Sequence, residues 1–397
     1  MKKIFWIFVV LFISTVVSVS AYLANQSDEQ KNRIVVNGIE NLTFMNEISE
    51  DHYLLFYPSD SRTSQEFTLV KEVAKTGKII KEYEVHDDTI RRINVHQKPT
   101  NLNELYISFF GEAVIENWYY MYDIQKRSFK KVDLPYFKYD IGVDHIMHYG
   151  SDVLLQNLVS HKTGDQNLNE ETGNFQMSIT NDTEQKSYET DYKLVPLWSP
   201  LLELGNKIIY AGNGEENNLG AAKGAIGLID RKTSETVYMD FGQKSSQFYT
   251  VYGTENHAYI ISNKGKMFVL NQDLTVKEYD TFKSVPVQDS YFTDSSGTLL
   301  IDQDRALHFV YSEQNGPVLG LLLLKGEPTF SPMDKPYIQS DMNYRILYQD
   351  TQQGEIYMIE SDGEEKGNLL VIDHKTFDLV YKIPVEYDHL LDFVVKK

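Results

Sequence analysis

The chain has 397 residues, no cysteine, and 57 acidic side chains against 38 basic ones, which gives a formal net charge of −19. These counts exclude a disulfide framework, a thiolate metal centre and a cysteine nucleophile, and the negative charge argues against nucleic acid as a partner. Hydrophobic residues make up 42% of the chain and charged residues 24%, the composition of a globular protein with a large core.

The N-terminus carries the pattern of an export signal. Lys2 and Lys3 precede an uncharged, mostly apolar stretch from Ile4 to Ala24. Two alternatives remain open: cleavage after Ala21, or retention as an anchor, because a helix of this length at about 1.5 Å rise per residue spans the roughly 30 Å hydrocarbon core. In both cases the rest of the chain lies outside the cytoplasm. We therefore expect an extracytoplasmic protein, secreted or anchored to the cell membrane by residues 4–24.

The remainder of the chain consists of short runs rich in Tyr, Phe, Val and Ile separated by turn residues, which predicts an all-β fold. One unit recurs: an apolar run, a tight polar turn and a second, alternating run. Its seven copies begin at Phe67, Trp118, Phe175, Ala225, Lys266, Leu319 and Asn368. Further strand candidates precede each copy, so each repeat has about four antiparallel strands, the content of one blade of a β-propeller.

The turns of these units share their chemistry. An Asx residue follows the first run in five copies, at Asp123, Asn181, Asp230, Asn271 and Asp373. An Asx side chain at this place accepts hydrogen bonds from the backbone about two residues further on, so these residues are predicted to build hairpins. The run WYYMY at Trp118–Tyr122 is predicted to form a cross-strand aromatic ladder rather than a platform for sugars.

Two units carry a resemblance to a known family. Leu369–Val385 looks like the YVTN repeat, and Ala74–Val85 is similar to a PQQ-type A-x-T-G-K hairpin. The chain resembles the superfamily of YVTN and PQQ-like β-propellers as an architecture over most of residues 34–395. The resemblance implies a fold and not an activity, because such repeats serve many unrelated functions.

The number of units predicts a seven-bladed β-propeller, with six or eight blades left open, preceded by an N-terminal signal or anchor helix. The expected domains are a leader at 1–24, a polar spacer at 25–33 and the propeller at 34–397. Closing the ring requires strands from both ends to share one blade, and the candidates are Ile34–Gly38 and Leu390–Val395.

A binding face is predicted where the second and third strands of every blade are joined. The longest of these connections are Val159–Asn174 and Gly212–Gly224, and long irregular loops on a rigid scaffold often carry binding surfaces. This face would suit a basic partner or a divalent cation; alternatively it is a solvated rim. The candidate binding residues on it are Asp60, Arg62, His161, Asp165, Glu215, Glu216, Asp362 and Glu364.

No catalytic residue, metal site or cofactor is predicted. The sequence lacks a nucleophile elbow, a zinc-protease motif and a phosphate-binding loop in a suitable context. The segments Thr293–Asp304 and Asp362–Asn368 lack the spacing of a calcium loop. His145 and His148 point to opposite faces of a strand, so they cannot easily share one metal ion.

The expected function is that of a monomeric, non-catalytic propeller that binds an envelope protein or polysaccharide through its long-loop face. The alternative is an extracytoplasmic propeller enzyme that resembles a lyase or a quinone-cofactor dehydrogenase. The hairpin Ala74–Tyr83 ends in Tyr where the docking pattern of the quinone enzymes has Trp. A binding protein is therefore preferred, and the question of an enzymatic activity is left open.

Overall fold

In the computed structural model, most of the described residues form β-strands. The described residues are 33–42, 51–58, 67–86, 92–98, 101–110, 118–133, 142–149, 152–159, 174–180, 185–189, 195–196, 202–213, 224–239, 248–253, 256–262, 265–285, 290–292, 297–312, 316–364, 366–386 and 391–396. Within them no helix is long and apolar enough to cross a membrane. The predicted leader lies outside these ranges.

The strands form seven sheets, which we number in chain order. Sheet 1 contains β1 (Ile34–Asn37), β2 (His52–Tyr57), β3 (Thr68–Ala74), β4 (Ile79–His86) and β31 (Phe393–Lys396). Sheet 2 contains β5 (Arg92–Lys98), β6 (Asn101–Phe110), β7 (Trp118–Asp123) and β8 (Ser128–Asp133). Sheet 3 contains β9 (Gly142–Tyr149), β10 (Asp152–Val159), β11 (Asn174–Thr180) and β12 (Gln185–Glu189).

The other four sheets follow the same plan. Sheet 4 contains β13 (Val195–Pro196), β14 (Leu202–Leu204), β15 (Lys207–Asn213), β16 (Gly224–Asp230) and β17 (Thr236–Met239). Sheet 5 contains β18 (Phe248–Gly253), β19 (His257–Ser262), β20 (Met267–Asn271) and β21 (Val276–Tyr279). Sheet 6 contains β22 (Ser290–Phe292), β23 (Thr298–Asp302), β24 (Arg305–Ser312), β25 (Gly316–Leu323) and β26 (Thr329–Pro332). Sheet 7 contains β27 (Asn343–Asp350), β28 (Glu355–Ser361), β29 (Lys366–Asp373) and β30 (Leu379–Glu386).

All seven predicted repeat units are the hairpins of third and fourth strands in these sheets. Three of the five predicted Asx turns are confirmed: Asp123, Asp230 and Asp373 accept hydrogen bonds from backbone N–H groups two or three residues further on. Asn271 instead donates its side-chain amide to the Thr275 hydroxyl, and Asn181 lies outside the described residues.

The Asp230 carboxylate accepts hydrogen bonds from the backbone N–H groups of Lys232 (2.8 Å) and Thr233 (3.2 Å). These bonds lower the pKa of Asp230 to about 2. The turn of this hairpin contains one residue with positive φ, Ser234 (φ 64°).

The core lies between neighbouring sheets. The face of sheet 1 that carries Tyr53 meets sheet 7, where the Tyr357 ring lies 6.3 Å away between centroids, and the face that carries Phe56 meets Phe129 of sheet 2 at 5.7 Å. Further apolar clusters join sheet 4 to sheet 5, sheet 5 to sheet 6 and sheet 6 to sheet 7. The aromatic run of β7 belongs to this packing, since Trp118, Tyr119, Tyr120 and Tyr122 are all buried. Across the strands, the Tyr122 ring lies 4.6 Å from the Phe129 ring of β8.

Sheet 1 contains strands from both ends of the chain. Strand β31 pairs with β2 on the inner edge, with Phe393 opposite Phe56, and β1 pairs in parallel with β4 on the outer edge. The sheet therefore joins residues near 34 to residues near 396, as the sequence predicts for ring closure. Four- and five-stranded antiparallel sheets that pack face to face in this way form a β-propeller.

Two opposite ends of the sheets are used below. The loop side is the end at which second and third strands are joined, by residues 58–67, 111–117, 160–173, 214–223, 263–266, 313–315 and 362–365. The turn side is the end at which third and fourth strands are joined, by residues 75–78, 124–127, 181–184, 231–235, 272–275, 324–328 and 374–378. In a propeller each set emerges on one face of the ring.

Candidate functional site

The loop side carries two long connections in consecutive sheets. Val159 and Asn174 pair across β10 and β11, so the chain leaves sheet 3 and returns to it at one point with the 14 residues 160–173 between them. In sheet 4, Asn213 pairs with Gly224, and the 10 residues 214–223 lie between them. The antiparallel register therefore fixes where both segments are attached.

Six of the predicted binding residues lie outside the described residues: Asp60, Arg62, His161, Asp165, Glu215 and Glu216. The other two belong to the short connection between β28 and β29. The Asp362 carboxylate accepts hydrogen bonds from the backbone N–H groups of Glu364 (2.9 Å) and Lys366 (3.1 Å), so Asp362 shapes the turn. The side chain of Glu364 is exposed and available to a partner.

A buried ion pair lies at the inner end of the loop side. Asp392 directly precedes β31, and its carboxylate accepts a hydrogen bond from the backbone N–H of Ile93 in sheet 2 (2.6 Å) and pairs with Arg345 of sheet 7. One carboxylate thus joins three sheets. Arg345 stays partly exposed, while Asp392 is buried.

A second buried carboxylate lies nearby in sheet 7. Glu360 is fully buried; it accepts hydrogen bonds from the Tyr344 hydroxyl (2.8 Å) and the Asn368 amide (2.7 Å) and pairs with Lys382. Burial raises the pKa of Tyr344 well above its usual value. The cluster is satisfied from within its own sheet, so its chemistry is that of a structural polar network.

A groove of about 340 Å³ opens between sheets 1 and 7. Its walls are Leu55, Tyr57, Lys71, Val73, Gly77, Ile79, Lys366, Pro384, Val385 and Glu386. The Lys71 ammonium lies 2.5 Å from the carboxylate of Glu386, whose side chain is 65% exposed, and the Tyr57 hydroxyl donates to the Glu386 carbonyl (2.9 Å). Apolar walls with a bridging ion pair make an amphipathic crevice.

Sequence reasoning missed the ionisable cluster at the opposite end of sheets 1 and 7. The Lys396 side chain is 4% exposed, and its ammonium lies 2.9 Å from Glu355 and 3.2 Å from Asp51. The Tyr357 hydroxyl donates to Glu355 (2.6 Å). From the sequence, Lys396 is expected to be solvated. Its ion pairs with Glu355 and Asp51 follow from the position of β31 in sheet 1, which only the structure shows.

The predicted absence of metal sites stays a prediction. Among the residues that the structure describes, no three His, Asp or Glu side chains come together as metal ligands would. In the segment Thr293–Asp304, Asp302 accepts hydrogen bonds from the backbone N–H of Asp304 (2.9 Å) and from Arg305 (2.8 Å), so it holds a turn. His145 and His148 lie on β9, whose side chains are outside the described part, as is His161.

Comparison with known proteins gives likeness in structure alone. No family model matches the chain, and no curated protein sequence does. Among solved structures it is similar to a post-proline cleaving enzyme from Rickettsia typhi, with 12% identity and a TM-score of 0.47 over 84% of this chain and 52% of that one. It is also similar to apo AztD from Citrobacter koseri, with 12% identity and a TM-score of 0.43 over 87% of this chain and 98% of that one. The chain thus spans about half the length of the first.

Proposed function

We propose that this protein is an exported or membrane-anchored, non-catalytic β-propeller that binds an envelope protein or polysaccharide through its loop side. One observation carries the proposal: the in-register pairs Val159–Asn174 and Asn213–Gly224 attach two long polar segments to the same end of consecutive sheets. A rigid sheet that ends in a long polar connection is a usual arrangement for recognition, because the scaffold holds the segment in place.

The distribution of charge also supports the loop side as the binding surface. The seven loop-side connections contain 13 acidic residues and five Lys or Arg, a net charge of −8 within a chain of −19. Such a concentration steers positively charged partners towards the face and speeds their association. The partner we propose is therefore a basic region of an envelope protein or a polysaccharide that carries cationic groups.

We further propose that the repeats are of the YVTN and PQQ-like type and that each of the seven sheets is one blade. The Asp373 turn, in which the carboxylate accepts from the N–H groups of Lys375 (2.9 Å) and Thr376 (2.8 Å), supports the repeat type. Six blades are the alternative, because Gln97 of sheet 2 and Gln349 of sheet 7 bond each other directly, at 2.7 and 2.9 Å, past the inner end of sheet 1.

A charge-reversal experiment tests the binding side. The variant carries Asp165→Lys, Glu215→Lys and Glu216→Lys, and the measurement is the amount of envelope material cross-linked to the full-length protein in intact cells. We expect at least a tenfold loss of the captured partner, because three reversed charges replace attraction by repulsion.

The matched control reverses three exposed acids at the turn-side end, with Glu235→Lys, Asp304→Lys and Glu327→Lys. Asp304 belongs to the connection between β23 and β24, which lies at this end because Arg305 pairs with Leu323, directly before the turn 324–328. The net charge of this control is the same as that of the loop-side variant, so the two differ only in where the charges lie. Capture should stay at the wild-type level in the control. Equal capture by both variants and wild type would remove the loop side as the binding surface.

A spectrum separates the proposal from the quinone-cofactor form of the enzymatic alternative. A quinone-cofactor dehydrogenase carries its cofactor through purification, whereas a binding protein of this kind should show no absorption above 320 nm and no stoichiometric metal, on the order of less than 0.1 ion per chain. A stoichiometric chromophore in the purified full-length protein would overturn the non-catalytic assignment.

A further inference from the structure

The groove between sheets 1 and 7 has an apolar end and a charged end. In sheet 1, Val73 lines the apolar end and Lys71, two residues earlier, the charged end; in sheet 7, Pro384 and Glu386 follow the same order. The two walls are in step. A Cβ on Gly77 would lie 2.9 Å from the Pro384 carbonyl oxygen, and the Lys71 ammonium lies 2.5 Å from the Glu386 carboxylate. Residues two apart in a strand share a face and lie about 6–7 Å apart, so this distance separates the two ends.

The charged end holds two lysines around one exposed carboxylate. Lys71 comes from sheet 1 and its side chain is 12% exposed, whereas Lys366 of sheet 7 pairs across the strands with Glu386. In the part of the chain that the structure describes, the Lys366 ammonium makes no ion pair, although it lines the groove. The Glu386 side chain is 65% exposed, so its carboxylate can turn into solvent and leave Lys71 to a carboxylate from outside.

The neighbouring acids do not compete for these lysines in the same way. Glu82 lies 3.9 Å from Lys71 but is closer to Arg33, at 3.3 Å, and Glu84 contacts a histidine of its own strand. The Asp362 carboxylate accepts two backbone N–H bonds, and Glu364 is exposed to solvent, which screens its charge. Recognition of a carboxylate here depends on short contacts with the two lysines and not on the net charge of the surface.

The apolar end is open to solvent along one side. Ile79 is 39% exposed, and Pro384 is exposed as well. An occupant therefore keeps one side in water. An extended peptide suits this arrangement because its side chains alternate between two faces, so one face packs into the groove while the other stays solvated. An acyl chain would leave apolar surface in water.

We propose that this groove binds an extended peptide segment of another protein in which an apolar side chain and a carboxylate lie two residues apart. The apolar side chain packs against Val73 and Ile79. The carboxylate takes the place of Glu386 between Lys71 and Lys366. Mostly apolar walls with a few polar groups that fix orientation are usual for a binding site of this size. This site goes beyond the proposed function, because no loop-side candidate residue takes part in it.

A panel of six-residue peptides tests the spacing. Each peptide carries one Leu, Ile, Val or Phe and one Glu among Ser residues, with blocked ends, and the Glu stands one, two or three positions before or after the apolar residue. Binding of rhodamine-labelled peptide to the full-length protein is measured by fluorescence anisotropy.

We expect a Kd below about 0.5 mM for at least one peptide with the spacing of two, and binding at least about fivefold weaker at the other spacings or with Gln in place of Glu. Equal binding at all spacings, or no binding below about 0.5 mM at the spacing of two, would overturn the proposal.

The variant Glu386→Gln gives a result that a purely structural ion pair would not give. It removes the carboxylate that competes for Lys71, so the best peptide should bind at least about threefold tighter. If Glu386 only held the two sheets together, the same variant would bind the peptide equally or more weakly, and this would contradict the proposal. Glu327→Gln, at an exposed acid of sheet 6, is the matched control and should leave the Kd unchanged.

Two further variants test the two ends of the groove. Lys366→Gln at the charged end and Ile79→Ser at the apolar end should each weaken binding at least about threefold. The matched controls are Lys232→Gln and Val237→Ser, at exposed positions of sheet 4, and they should bind as wild type does. Wild-type affinity in all four variants would mean that the peptide binds outside the groove and would overturn the assignment.

Failure of this site and failure of the proposed function give different results. The loop-side variant with Asp165→Lys, Glu215→Lys and Glu216→Lys should still bind the peptide within about twofold of wild type at physiological salt. Loss of loop-side capture with intact peptide binding would leave the groove in place, and the reverse result would overturn the groove alone.

Discussion

The buried carboxylate of Glu72 finds its partners on neighbouring strands. Glu72 is fully buried and accepts hydrogen bonds from the Tyr83 hydroxyl (3.0 Å) and from His52 (3.1 Å), which lie on the two strands beside it. In the sequence, Glu72 is one polar residue in an alternating strand and gives no sign of burial. Such residues escape sequence reasoning because their surroundings are supplied by residues distant along the chain.

His308 is expected to make stability depend on pH. It is fully buried in sheet 6, accepts or donates a hydrogen bond with Thr298 (2.8 Å), and burial lowers its pKa from 6.5 to about 3. Since the unfolded chain binds the proton first, this contribution to stability is complete above pH 6.5 and is lost as the pH falls towards 3, by up to about 1.4 kcal/mol per pH unit.

The measurement is urea unfolding at pH 7 and pH 5 for wild type and His308→Asn, which keeps an acceptor near Thr298. The pH-dependent loss should be smaller in the variant by about 2 kcal/mol. The same slope in both proteins would mean that His308 is not the group that titrates.

At the scale of elements, the sequence predicted the hairpins of third and fourth strands, but it predicted only some of the first strands of the sheets. Each hairpin has an alternating pattern, five of the seven have an Asx residue at the turn, and both signals are local. The short strands β13 (Val195–Pro196), β14 (Leu202–Leu204) and β22 (Ser290–Phe292) were not predicted. They are two or three residues long, and pairing with a longer neighbour, not local pattern, makes them strands.

The hairpin turns yield a prediction about backbone strain. Ser234 has φ of 64°, and a non-glycine residue in this region costs about 1–2 kcal/mol. Ser234→Gly keeps the 2.8 Å bond from its N–H to the Asp230 carbonyl and should stabilise the protein by about 0.5–1 kcal/mol in urea unfolding.

At Gly77 the reverse substitution, from glycine to alanine, is expected to destabilise the protein. Its φ is 83°, and a Cβ at this position would lie 2.9 Å from the Pro384 carbonyl of sheet 7. Gly77→Ala should therefore destabilise the protein by about 1–2 kcal/mol or more. Equal stability of both variants and wild type would show that these turns are not strained.

At the scale of the whole molecule, sheet 1 closes the ring with β31, and Lys396 holds that strand. Lys396→Met would leave Glu355, whose side chain is 12% exposed, without its ammonium partner. We expect a loss of about 3 kcal/mol in the free energy of unfolding, because one charge of a buried pair is left behind. Lys126→Met is the control: its pair with Asp123 is exposed, and little change is expected.

The sequence predicted that both chain ends meet in one blade, because open edges of a propeller must be paired. It could not predict that β1 lies in parallel on the outer edge, since parallel pairing leaves no local pattern. Of the candidate binding residues, Asp362 proves to shape its turn and Glu364 is exposed, while the six others lie outside the described residues. Their roles remain predictions.

Photo-crosslinking in living cells tests the loop-side proposal most directly. A photoreactive amino acid is placed at Asp165, Glu216 or Glu364 on the loop side and at Glu235, Asp304 or Glu327 on the turn side. The account predicts that one envelope partner is captured from the loop-side positions and that it disappears with the loop-side charge reversal. Capture of the same partner only from the turn-side positions would contradict it.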